Sequence, residues 1–204
     1  MSPRFVSTRP GARTLGIADE SVLRAAFDAM PREGFLPRGE RRRASYDGPL
    51  PIGQGQTSSQ PRTVAAMLRL LEVAPGQSVL DVGSGSGWTT ALLAHLVGPT
   101  GSVLGVELEP SLVTFGSENL ARTHQPWATI RAATPGVLGV PDHAPYDRVL
   151  VSAEPTTLPD QLVDQLADGG RLVIPVRGTM TLVTRDGDET TETHHGSYRF
   201  VPLR

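Results

Sequence analysis

The residues best suited to chemistry lie in "VLDVGSGSGW", where an apolar run passes through Gly83, Ser84, Gly85 and Gly87 into a helical pattern. Such a glycine loop lets backbone N–H groups approach a ligand at the start of a helix. A dinucleotide site would space its glycines as Gly-x-Gly-x-x-Gly and keep the third position small for packing around a pyrophosphate. Here that position is Trp88, and the spacing is Gly-x-Gly-x-Gly with Asp81 just ahead. The pattern suits a ligand with no phosphate but with an amino acid and a ribose to hold. Glu107 closes the next apolar run, where a carboxylate can accept hydrogen bonds from both ribose hydroxyls. Taken singly, Asp81 and Glu107 read equally as residues that end strands and solvate turns. Together with the glycines they favour a nucleoside, and S-adenosylmethionine, with S-adenosylhomocysteine as its product, fits best.

A second segment, "PLPIGQGQTSSQP" (49–61), gathers prolines, glycines and small polar side chains just ahead of the glycine loop. Gly53 and Gly55 permit close backbone approach, Pro49 and Pro51 stiffen the chain, and Gln54, Gln56, Thr57, Ser58 and Ser59 supply donors and acceptors. By itself the segment reads equally as a connector whose Ser59 or Gln60 caps the following helix. The histidines at 95, 124, 143, 194 and 195 show no metal-ligand spacing, and His194-His195 reads as part of a solvated loop, so no metal is expected. The absence of cysteine removes disulfides, thiolate catalysis and cysteine–metal sites.

The elements that must carry these residues follow from periodicity. Residues 1–17 alternate Arg, Pro, Gly and Thr without a period and read as a flexible arm, leaving 18–204 as a single domain. "DESVLRAAFDAM" places Val22, Leu23, Ala26, Phe27 and Met30 on one helical face, stopped by Pro31. No period holds from Pro31 to Ser59, a stretch long enough to be a functional loop region. Helical spacing returns with Val64, Met67, Leu68 and Leu71, behind Pro61 at the first helical position. Then β-branched runs at 78–82, 102–107, 128–132, 147–153 and 170–176 alternate with the helical segments "WTTALLAHLV", "PSLVTFGSENLART" and "LPDQLVDQLA". This alternation predicts an α/β fold, a mostly parallel doubly wound sheet covered on both faces. Two strand candidates around Asp186-Gly187 add an antiparallel C-terminal element.

Composition narrows the partners. With 38% hydrophobic and 20% charged residues and a formal charge of −2, the 204-residue chain has neither the composition of a disordered protein nor that of a strongly basic nucleic-acid binder. No apolar run approaches the roughly 18–20 residues that cross a bilayer, and the first residues lack the apolar middle of a secretory signal. A cytoplasmic monomer with no membrane or nucleic-acid partner is expected.

Four motifs, "PLPIGQGQTSSQP", "VLDVGSGSGWTTALLA", "APYDRVLVSA" and "QLADGGRLVIPV", together resemble the protein-L-isoaspartate O-methyltransferase family. The upstream "MPREGFLP" and "SYDGPLPIG" resemble it too, and the likeness spans about residues 20–178. The resemblance implies a Rossmann-like class I methyltransferase with an N-terminal helical substrate-loop region. Such an enzyme transfers the methyl group of S-adenosylmethionine to the free carboxylate of L-isoaspartyl residues in proteins or peptides. The ester then closes to a succinimide, and reopening returns some normal aspartate. It implies Ser59 as the catalytic-site serine that orients the carboxylate, and Ile52, Gly53, Gln54, Gln56, Thr57 and Ser58 as substrate-binding. It also implies that Asp81, Gly83, Ser84, Gly85, Gly87, Glu107, Thr134, Pro135 and Gly136 bind the cofactor.

Two positions depart from the family's pattern. Pro135 stands where the family has an aspartate that accepts a bond from the adenine amino group, and proline offers neither a side-chain acceptor nor an N–H. Glu154 stands where a small residue is usual. These departures keep open a peptide-tailoring aspartate O-methyltransferase that drives aspartimide formation in a partner peptide, and a non-catalytic homologue. Arg38, Arg41, Arg42 and Arg43 read as a solvated face, Trp88 and Phe115 as packing residues, and Asp147 as a turn or capping group.

Overall fold

Apolar periodicity sets most of the element boundaries. The structure is a computed structural model that describes residues 20–204, so the arm expected over residues 1–17 lies outside the described residues. Helix α1 (Glu20–Ala29) buries Leu23 and Ala26, while Phe27 and Met30 pack at the edge of the same core. Val22, expected on that face, is 48% exposed. Helix α2 (Pro61–Leu71) buries all four expected residues, Val64, Met67, Leu68 and Leu71, with Pro61 in its first turn.

Between these helices the loop expected from Pro31 to Ser59 is more ordered than its lack of period implies. Two short 3-10 turns (Arg32–Phe35 and Arg41–Arg43) lead into an antiparallel hairpin of β1 (Leu50–Gly53) and β2 (Gln56–Ser58). Its two-residue turn, Gln54-Gly55, has φ of 55° and 71°. Positive φ at both positions is the turn that matches the twist of paired strands, and glycine takes it without steric cost.

The main sheet has seven strands in the order β5-β4-β3-β6-β7-β8-β9. Strands β3 (Ser78–Val82), β4 (Ser102–Glu107) and β5 (Ala128–Ala132) have the limits read from their β-branched runs. Strands β6 (Tyr146–Val151) and β7 (Leu166–Val176) continue the parallel part. Strand β8 (Thr179–Asp186) pairs antiparallel to β7, and β9 (Glu189–Ser197) antiparallel to β8. Successive residues face opposite cores: Val79, Leu150 and Val173 point toward α1, α2 and α3 (Trp88–Val97), whereas Leu80, Val149 and Leu172 point to the other face.

That second face carries less helix than expected. "LPDQLVDQLA" forms only one turn, α5 (Asp160–Val163), because the chain from Leu166 onward already pairs with β6. Buried Gln165 makes the switch possible, its side chain donating to the carbonyls of Leu138 (2.8 Å) and Gln161 (2.6 Å) and accepting from Val140 N–H (2.7 Å). A side chain thus satisfies backbone groups that a longer helix would have paired internally.

Helix α4 (Pro110–Ala121) lies against α3 and β5 at a glycine contact. A Cβ on Gly116 would stand 2.7 Å from the carbonyl oxygen of Gly85, and one on Gly87 would stand 2.8 Å from that of Gly116. This approach holds the glycine loop down on α4. Gly116→Ala gains about 1 kcal/mol of helix propensity but forces overlap with backbone, which costs about 1–3 kcal/mol. The expected outcome is a melting temperature lower by roughly 2–4 °C in calorimetry, although alanine is the better helix former.

Candidate functional site

The sheet order reverses at β3, whose neighbours are β4 on one side and β6 on the other, and the crevice beyond the C-terminal ends of these strands is where open α/β sheets bind ligands. A cavity opens there. Its walls come from the glycine loop (Gly83, Ser84 and Gly85), the end of β4 (Glu107), the loop after β5 (Thr134, Pro135 and Gly136) and the β1–β2 hairpin.

Glu107 is buried, and each of its carboxylate oxygens is fixed by one backbone donor: Gly85 N–H to Oε2 (2.9 Å) and Glu109 N–H to Oε1 (3.0 Å). A carboxylate oxygen has a second acceptor site, so both oxygens keep capacity for a pair of vicinal hydroxyls. Apolar walls from Val82, Val106, Val137 and Leu138 continue the cavity beyond Glu107. The side chain of Ser84 is also buried there with no hydrogen-bond partner. An acceptor-only group beside apolar walls fits a nucleoside, and the glycine loop has no basic side chain to receive a pyrophosphate.

Asp81, expected among the cofactor contacts, does not reach the cavity. It is fully buried beneath the loop, where Oδ2 accepts from the hydroxyls of Thr89 (2.9 Å) and Thr90 (2.7 Å) at the start of α3 while Oδ1 has no partner. Inward pointing follows from strand alternation, since Asp81 shares the face of Val79 and its neighbours Leu80 and Val82 take the other. Gly87 is likewise outside the wall, turned toward α4. Thr134 to Val137 form a tight turn (Val137 N–H to Thr134 carbonyl, 3.0 Å), with Pro135 and Gly136 in the middle and Gly136 at φ 78°. Proline followed by a left-handed glycine is the type II signature, which gives Pro135 a structural reason independent of any ligand.

The hairpin brings Ile52, Gln56, Thr57, Ser58 and Ser59 to the wall, while Gly53 and Gln54 lie outside it, next to and in the turn. Ser59 is not a helix cap. Its hydroxyl makes no hydrogen bond among the described residues, and the free N–H of Arg62 is taken instead by Asp47 Oδ1 at 3.1 Å. Ser58 is turned inward, its Oγ accepting from Arg32 Nε at 3.1 Å.

Arg32 is the residue that sequence reasoning missed. It is only 5% exposed, and its guanidinium also donates to the carbonyls of Tyr46 (3.0 Å), Gly48 (2.9 Å), Ser58 (2.8 Å) and Ser59 (2.9 Å). It lies over the Trp88 ring at 5.4 Å, and Trp88 in turn donates its indole N–H to the Met30 carbonyl. Burial pulls the guanidinium down to about 10, with the charge of Asp47 opposing, so the cation persists at neutral pH. The available signal was its place in "MPREGFLP", a motif that carries the family likeness but assigned no role to its arginine. Of the other arginines, Arg43 pairs with Glu40 at 2.9 Å and Arg41 donates to the Leu36 carbonyl, as a solvated face would. Asp147 accepts from Ser78 N–H at 2.8 Å and so caps the start of β3.

A family model described as "Protein-L-isoaspartate(D-aspartate) O-methyltransferase (PCMT)" matches residues 11–204. The chain belongs to this family. It is 42% identical over 197 residues to the protein-L-isoaspartate O-methyltransferase of Methanopyrus kandleri, covering 94% of this chain and 87% of that relative. The enzyme of that name from Aeropyrum pernix is also 42% identical, with coverages of 94% and 75%. Among solved structures, a protein-L-isoaspartate O-methyltransferase superposes with a TM-score of 0.83 at 25% identity, covering 92% of this chain and 62% of that one. A beta-aspartate methyltransferase (PCMT) from Plasmodium falciparum in complex with S-adenosyl-L-homocysteine gives 0.81 at 26% identity, covering 92% of both chains.

Two variants test the buried polar groups. Arg32→Met keeps an apolar body over Trp88 but strands several carbonyls, so urea unfolding should show a loss of about 2–4 kcal/mol. Asp81 tests the other. Burial raises its carboxyl from an ordinary 3.8 to about 6, against the lowering effect of the Thr90 and Thr89 hydrogen bonds. The folded state then binds the proton more tightly than the unfolded chain, so this group favours folding most at low pH and loses that contribution as the pH rises from about 4 to about 6. Asp81→Asn cannot ionise. Its stability relative to the parent should therefore improve between about pH 4 and about 6 in urea titrations and level off above that.

Proposed function

We propose that this protein transfers a methyl group from S-adenosylmethionine to the free carboxylate of L-isoaspartyl residues in damaged proteins and peptides, starting their repair through succinimide. The observation that carries this reading is a single cavity walled on one side by the glycine loop and Glu107 and on the other by the "PIGQGQTSS" hairpin, in a chain that belongs to the isoaspartate methyltransferase family. We further take the chain to work as a cytoplasmic monomer, with residues 18–204 as one methyltransferase domain acting on protein or peptide acceptors and not on nucleic acid. Its formal charge of −2 supports the choice of acceptor.

When bound, S-adenosylmethionine supplies an electrophilic methyl group on a sulfonium. Glu107 would hold the ribose hydroxyls, with the Gly83–Gly85 backbone and the Thr134–Gly136 turn flanking the rest. Because an isoaspartyl residue carries an extra methylene in its main chain, recognition has to read backbone, and a glycine-rich hairpin with exposed peptide groups can do so. The acceptor carboxylate, with an ordinary pKa near 4, is already ionised at neutral pH and needs no general base. In keeping with that, Thr57, Ser59, Ser152 and Val201, which link the cofactor cavity to the surface cleft beside it, include no titratable side chain. Ser59 would donate its hydroxyl to the carboxylate and orient it, so that placement and partial desolvation supply the rate.

Matched peptides with isoaspartate or aspartate at one site test the proposal. Methyl transfer should strongly prefer isoaspartate, whereas a preference for aspartate in one partner peptide would identify a tailoring enzyme. Ser59→Ala should lower kcat at least tenfold with cofactor affinity nearly unchanged. Glu107→Ala should weaken cofactor binding at least tenfold in calorimetry, about 1.4 kcal/mol, and unchanged affinity would remove Glu107 from the site.

A further inference from the structure

A surface cleft lies beside the cofactor cavity, and Thr57, Ser59, Ser152 and Val201 line both, so Ser59 borders the cleft as well as the cavity. The cleft is one-sided in charge. Arg62, Arg69 and Arg199 lie along it and no aspartate or glutamate does, although the chain as a whole carries −2. Two of these cations are already matched from outside the cleft, Arg62 by Asp47 at 2.5 Å and Arg69 by Glu20 at 2.7 Å. Arg199 is exposed and makes no ion pair among the described residues.

The backbone on both sides of Arg199 is anchored. Tyr198 N–H donates to the Gly178 carbonyl (2.8 Å), and Phe200 N–H donates to Glu154 Oε2 (3.3 Å). The tail beyond is tied to the end of β6, Glu154 N–H donating to the Val201 carbonyl at 2.7 Å and Leu203 N–H to the Glu154 carbonyl at 2.9 Å. A guanidinium on a fixed backbone loses less freedom when it takes a partner than one on a loose tail. Glu154, a departure from the family's pattern, is thus part of what sets Arg199 beside the cleft.

We propose that Arg199 makes this enzyme select acceptors with an acidic side chain close to the isoaspartate, and this rests on the isoaspartate reading given above. A peptide whose isoaspartyl carboxylate reaches Ser59 must lay its neighbouring residues in the cleft, where the free cation meets them. A half-exposed pair of this kind is weak and screened by salt, so the effect is a preference of about two- to fivefold and not an absolute requirement.

The test uses isoaspartyl peptides identical except for Glu, Gln or Lys at the positions flanking the isoaspartate, with methyl transfer followed for the parent, Arg199→Ala and Arg199→Glu, and peptide affinity measured with S-adenosylhomocysteine bound. The parent should show KM rising from Glu to Gln to Lys at one flank, with kcat nearly constant and the spread shrinking in high salt. Arg199→Ala should flatten the series, and Arg199→Glu should invert it, with melting temperature and cofactor affinity unchanged. An Arg199→Glu enzyme that still methylates with the parent's Glu-to-Lys ratio overturns this proposal and leaves the repair reading intact. Loss of cofactor affinity in the Arg199 variants also overturns it, by assigning the residue to the cofactor cavity. If the parent methylates no isoaspartyl peptide of the series, the repair reading itself fails and the selectivity falls with it.

Discussion

A buried guanidinium organises the hairpin side of the cavity. Arg32 gives its donors to four backbone carbonyls and one hydroxyl, drawn from the segment before the hairpin (Tyr46 and Gly48) and from its exit (Ser58 and Ser59). No carboxylate neutralises it at ion-pair distance among the described residues, so the partial charges of neutral oxygens must compensate the loss of water. A planar fork with five N–H groups can span such a set, and an ammonium cannot. The hairpin has only short strands and few buried apolar residues, mainly Leu50 and Ile52, so its position depends on this polar hub more than on its own pairing.

The glycine-loop side of the cavity is held by different means. Parallel strands bring the ends of β3, β4 and β6 to one level, and the change of strand order at β3 leaves a crevice there. Tight glycine contacts between α3, α4 and the loop then fix the height of its floor. Below it, Asp81 ties the strand to the first turn of α3 through two threonine hydroxyls. Its burial opposes ionisation, so a group that braces the loop also carries an electrostatic cost near neutral pH. The two sides meet at Trp88, which opens α3, lies under Arg32 and packs edge-on against Phe27 of α1 at 5.6 Å.

The C-terminal tail closes the arrangement. Residues 201–204 cross the edge of the cavity, tied to Glu154 after β6 and, through Arg204, to Glu109 at 2.5 Å just before α4. Because the tail lines both the cavity and the open cleft, residues far apart in the chain share one wall: the hairpin near 57, the end of β6 near 152 and the tail near 201. Cavity and cleft therefore meet where three separate segments converge.

By itself the sequence determined the elements whose signal is local. Strands β3 and β4, inside the sheet, are largely buried and therefore written as apolar, β-branched-rich runs, edge strand β5 is legible from its short β-branched core, α2 announces itself by apolar spacing behind Pro61, and α3 by an apolar run of helical length after the glycine loop. Motif likeness singled out residues 49–61, part of which the fold brings to the wall of the cavity. Only tertiary structure decided the rest, because the deciding partners are distant in the chain. Leu166 became strand and not helix because β6 offered it a ladder and Gln165 satisfied the broken turn. Asp81 became a brace because strand alternation turned it inward, away from the cavity wall. Arg32 has no periodic signature at all: its role exists only where Tyr46, Gly48, Ser58 and Ser59 present their oxygens together, since the solvation lost by a cation can be replaced only by groups that folding has already assembled.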